Sequence, residues 1–100
     1  MIVVFTDAAQ ADIEGIGDYI ARDNPRRAMT FIAELIAHCR QLADMPRAFA
    51  LVPRYEHTGV RRLVHGNHLV FYRVGADKVE ILHVLNGAQD FEAVLFPKNG

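Results

Sequence analysis

Six residues in the second half of the chain could serve phosphate chemistry. Arg61, Arg62 and Arg73 supply cations of the kind that stabilise charge on a phosphoryl group, and His65, His68 and His83 are groups that titrate near neutrality. Side chains alternate along a strand, so Arg61 and Arg62 point to opposite faces and at most one of them shares a surface with Arg73. Isolated arginines and histidines on strands read more readily as solvated residues, or as bridges to acidic groups of a partner, than as an active site. Tyr19 and Tyr72 could stack on bases. Both lie inside regular apolar patterns, however, and read as core or edge packing. Cys39 reads as a core residue on the same grounds. The sequence holds no Gly-rich phosphate loop, no metal-ligand spacing and no nucleophile elbow, so neither a metal nor a cofactor is expected.

The elements that must hold these residues are legible from periodicity. Ile2 to Phe5 is a short branched and aromatic run, expected as a strand. Asp7 and Gln10 have the spacing of a capping box, and Ile13, Ile16 and Ile20 then recur at helical spacing, which predicts a helix from about Asp7 to Arg22. Asn24-Pro25 is a break and restart, since Asn caps well and Pro is tolerated at the first helical position. Ala28, Phe31, Ile32, Leu35, Ile36, Cys39 and Leu42 trace the apolar stripe of a second helix, closed by Met45-Pro46. The short connection makes the two helices an antiparallel hairpin.

Pro46 to Gly59 reads as a loop. Val60–Val64, His68–Val74 and Val79–Leu85 then read as strands, joined at Gly66-Asn67 and at residues 75–78 by turns short enough to demand antiparallel pairing. Phe91, Val94 and Leu95 suggest a short terminal helix before Pro97. The expected fold is a single small α+β domain spanning residues 1–100: an N-terminal strand, an antiparallel helical hairpin, then a three-stranded antiparallel meander with the hairpin on one face. The other sheet face, if uncovered, is a candidate partner surface.

Composition narrows the function classes. The chain has 100 residues, 51% hydrophobic and 23% charged, which suits one globular domain with a thin core. A formal net charge of -1 gives no basis for bulk electrostatic binding to nucleic acid. The charges are unevenly spread: Asp7, Asp12, Glu14, Asp18 and Asp23 crowd the first quarter, and Arg47, Arg54, Arg61, Arg62 and Arg73 the middle. One cysteine, a short apolar N-terminus and no long apolar run lead to the expectation of a cytoplasmic protein with no targeting or membrane segment.

Several residue groups in order resemble the ParE branch of the RelE/ParE toxin superfamily. They are Ala11-Asp12-Ile13, Gly15-Ile16-Gly17-Asp18-Tyr19-Ile20, Asn24-Pro25-Arg26-Arg27-Ala28, Val60-Arg61-Arg62, residues 65–73 and residues 79–90, with Leu42 and Pro46 closing the second helix. The resemblance spans nearly the whole chain. It implies the toxin of a type II toxin-antitoxin pair that blocks DNA gyrase by binding, neutralised by a ParD-like antitoxin, with DNA contacted only through that antitoxin. The alternative it implies is a RelE-like ribosome-dependent messenger RNA endonuclease. Such an enzyme uses the RNA 2′-hydroxyl as nucleophile, with Arg61 and Arg73 on the phosphate and His83 as acid or base. RNA-cleaving relatives carry basic and aromatic residues near the chain end, whereas Ala93-Val94-Leu95-Phe96 has no Tyr or His. A non-catalytic inhibitor is therefore preferred. The antitoxin is expected to fold on binding, with apolar anchors near Ile13, Ile16, Phe31 and Leu35 and acidic residues meeting Arg61 or Arg73.

Overall fold

In the computed structural model, which describes residues 1–98, strand β1 (Ile2–Phe5) leads into helices α1 (Asp7–Ala21) and α2 (Pro25–Arg40). Strands β2 (Val60–His65), β3 (His68–Val74) and β4 (Lys78–Asn86) follow, then a short helix α3 (Phe91–Leu95). The sheet order is β1-β4-β3-β2. β2, β3 and β4 form the expected antiparallel meander, and β1 joins it parallel to β4, pairing Ile2 with Lys78 through Phe5 with Ile81. The two-residue turn between β2 and β3 works because Gly66 takes φ +59°, a left-handed conformation that glycine adopts without a steric penalty.

Helix boundaries follow from their caps. α2 starts as expected, with Asn24 Oδ1 accepting from Arg27 N at 3.0 Å and Pro25 at the first helical position. The start of α1 differs from the capping box expected at Asp7 and Gln10. Thr6 is the cap: its hydroxyl accepts from Ala9 N at 3.0 Å, while Gln10 reaches back to Phe5 O at 2.9 Å. Thr6 wins because its hydroxyl also donates to Leu82 O at 2.9 Å, tying the start of α1 to β4.

Leu35, Cys39 and Leu42 from the second helical stripe meet Leu63, Val70, Tyr72, Val79, Ile81 and Val84 in the main core between hairpin and sheet. The opposite sheet face is not left bare. Val52, Val60, Phe71 and Leu85 form a second cluster there, covered by Tyr55, Phe91, Leu95 and Phe96 from the loop and α3. Glu92 fastens this cover, accepting from Tyr55 Oη at 2.6 Å and from Arg54 at 3.0 Å, and Tyr55 stacks on Phe96 with centroids 3.9 Å apart.

Candidate functional site

β1 pairs with β4 only as far as Ile81, so the edge of β4 from Leu82 to Asn86 has no strand beside it. A bare edge invites pairing with another chain, and here side chains fill it. Asp12 Oδ2 on α1 accepts from Val84 N at 2.9 Å and from His83 Nδ1 at 2.8 Å. Gln89 Oε1 accepts from Asn86 N at 2.8 Å. A carboxylate can only accept, so Asp12 sets the tautomer of His83 with the proton on Nδ1 and Nε2 left open. The strand is irregular at this point: Phe71 pairs with His83 and Tyr72 with Ile81, so Leu82 is an extra residue.

Between α1 and this edge lies a cleft of about 510 Å³, walled by Gly15, Ile16 and Tyr19 on one side and by Asn67, His68, Val84 and Asn86 on the other. A histidine cluster adjoins it. His38 on α2 and His65 at the end of β2 bring their Nδ1 atoms to 2.9 Å, and Phe31 packs 5.4 Å from the rings of both His65 and His68. Burial is the first cause that pushes His65 and His68 below the ordinary histidine value, with the neighbouring histidine charge second in each case. His68 Nδ1 is buried and has no hydrogen-bond partner among the described residues.

The residues singled out from sequence do not gather into one site. Arg61 sits on the face toward the hairpin, opposite Tyr72, and donates to Phe49 O at 2.7 Å. Arg73 pairs with Val60 on the other face, which it shares with Arg62. His83 meets Asp12 of α1 at the edge of β4, and β3 lies between that strand and Arg61 on β2. Leu35 is fully buried and Ile13 is 9% exposed, so both belong to the core, whereas Ile16 and Phe31 keep part of their surface. Tyr72 is in the core as expected, its hydroxyl donating to Pro46 O at 3.0 Å. Tyr19 is not, being 70% exposed with Arg22 over its ring. Cys39 is a buried thiol pushed up to about 11 by desolvation, which leaves it unreactive near neutrality. Among the described residues no group of three or more His, Cys, Asp or Glu side chains is placed to hold a metal ion, and no helix is long and apolar enough to cross a membrane. Sequence reasoning missed Asp12 and Gln89 as edge caps. Asp12 lies 71 residues from His83, and nothing local announces the contact.

Comparison with known proteins places this geometry among relatives. A family model described as the ParE toxin of type II toxin-antitoxin system, parDE, matches residues 3–91. Toxin ParE1 of Caulobacter vibrioides is 34% identical over 88 residues, which cover 87% of this chain and 90% of that protein. Two solved structures share the fold at 22% identity. A chain of the chromosomal ParDE TA system from P. aeruginosa superposes with a TM-score of 0.72, covering 86% of this chain and 95% of that one. A chain of the toxin-antitoxin complex RelBE2 from Mycobacterium tuberculosis does so with a TM-score of 0.62, covering 85% and 95%.

Proposed function

The chain belongs to the ParE toxin family of type II toxin-antitoxin systems, and we propose that it arrests growth in the cytoplasm by binding DNA gyrase, with a ParD-like antitoxin as its neutralising partner and its only link to DNA. The observation that carries the non-catalytic reading is the dispersal of the charged groups. Arg61 faces the hairpin, Arg73 the opposite sheet face, and His83 the edge beside α1. A phosphoryl-transfer site needs cations and a proton carrier converging on one point about 3 Å from each. The antitoxin reading draws on the partly exposed Ile16 and Phe31, which are available as anchors, and on Arg73, which is exposed to acidic residues.

Gyrase supercoiling and cleavage-complex assays with purified protein test this. Loss of supercoiling or accumulation of cleavage complexes is expected, and no effect at toxin excess overturns the gyrase target. The RelE-like reading has one observation in its favour, the orientation of His83 by Asp12, which is how a catalytic histidine is held. Primer extension on translated messages separates the two. Codon-linked cuts that disappear in His83→Ala would replace the binding mechanism with an enzymatic one.

A further inference from the structure

α1 is hollowed at Gly15, in the middle of the helix. Glycine there costs backbone entropy relative to alanine, and a helix keeps one profitably where another group must approach closely. Among the described residues nothing makes that approach: a Cβ at Gly15 would meet no atom within 4 Å. Gly17 differs, since Ile32 of α2 lies 3.5 Å from its Cβ position, where the two helices touch. Gly15 instead opens onto the cleft beside β4.

The chemistry of the lining selects an occupant. Ile16 and Val84 give the lining an apolar part, and Asn67, Asn86 and Gln89 give it amide side chains. Asn86 and Gln89 spend their oxygens on Ala88 N and Asn86 N, each at 2.8 Å, so the groups they offer outward are N–H donors. Such donors match the carbonyls of a peptide backbone. Phosphate is repelled, because Asp12 is in the lining, Glu14 and Asp18 are on the same helix, and among the described residues no lysine or arginine lines the cleft. Adding a strand to β4 is also hindered, since the edge N–H groups of Val84 and Asn86 are already taken by Asp12 and Gln89.

We propose that this cleft receives an uncharged segment of the cognate antitoxin, whose backbone crosses α1 at Gly15 and whose carbonyls accept from the amides of Asn67, Asn86 and Gln89, without extending the sheet. The docking site rests on the antitoxin reading above. Tyr19, exposed at the rim, closes over the segment as an aromatic anchor.

Calorimetric titration of the purified antitoxin encoded with this chain into three forms of the toxin tests the assignment: wild type, Gly15→Leu and Tyr19→Ala. Leucine is a good helix former entering open space, so Gly15→Leu keeps or raises Tm. It fills the cleft, and binding weakens tenfold or more, equivalent to about 1.4 kcal/mol. Tyr19→Ala removes an exposed side chain, keeps the fold and weakens binding to a similar degree. Weakened binding by either variant that still melts cooperatively supports the docking site. Wild-type affinity in both overturns it while leaving the antitoxin reading intact, whereas a wild-type toxin that binds no antitoxin overturns that reading and the docking site with it.

Discussion

The contact between His38 and His65 needs at least one neutral ring, since two imidazoles 2.9 Å apart share a hydrogen bond only if one of them accepts. His65 and His68 are held below their ordinary value of 6.5, first by burial. The groups facing His65 are His38, His68, Arg27 and Glu34, of which only Glu34 favours its charged form. A pKa depressed in the folded state means that the unfolded chain takes up protons first as pH falls. The stabilisation is therefore complete above about 6.5 and is lost as pH drops from there through the folded values. Urea midpoints at pH 7.5 and 5.5 should show this, lower at the acid end, with a smaller difference in His65→Gln; a flat midpoint counts against the coupling. Asp12 gives a second prediction at this scale. Asp12→Ala strips the partner from Val84 N, a group in a nearly buried strand, and should cost about 1–3 kcal/mol by chemical denaturation.

Among the elements, Thr6 tests why α1 begins where it does. Thr6→Ala removes both the cap on Ala9 N and the bond to Leu82 O, and should cost about 1–2 kcal/mol, whereas Asp7→Ala should change stability by less than about 0.5 kcal/mol. Equal effects would restore Asp7 as the cap. The contrast also marks the limit of what sequence makes visible. α2 was readable to the residue at its start because Asn24 and Pro25 act locally, and the three meander strands were readable because alternation and short turns act locally too. Thr6 and Asp7 both suit a cap, and the choice between them depends on Leu82, 76 residues away. The parallel pairing of β1 with β4, the extra residue at Leu82 and the Asp12–His83 contact are all set by tertiary packing, which carries no periodic trace. The candidate site suffered most from this. Its residues come from α1, the β2–β3 turn and the end of β4, and only Ile16 among the cleft walls figured in the expected antitoxin-contact set. Period alone leaves Tyr19 as core or edge packing, and its 70% exposure excludes the core.

At the scale of the whole molecule the domain is a slab, about 40 × 36 × 21 Å. A sheet with one helical layer and a light cover on its far side leaves large hydrophobic side chains on its surfaces: Tyr19 is 70% exposed, Met29 76% and Ile2 64%. Scattered exposed apolar residues are ordinary, but in a small domain with a thin core a partner that covers them adds stability with the logarithm of its free concentration over Kd. A wrapping antitoxin that folds as it binds should therefore leave two marks. Free antitoxin at a thousand times its Kd stabilises the toxin by about 4 kcal/mol, and at roughly 4–8 °C per kcal/mol for a domain of this size Tm should rise by more than ~10 °C. Binding should also show a strongly negative heat-capacity change, because coupled folding buries on the order of 1,000–3,000 Å². Titration at several temperatures, alongside limited proteolysis of the free antitoxin, separates wrapping from rigid docking. A protease-resistant free antitoxin tail together with a small heat-capacity change would mean that the partner arrives already folded, and the broad faces of the slab would then be covered by a preformed surface.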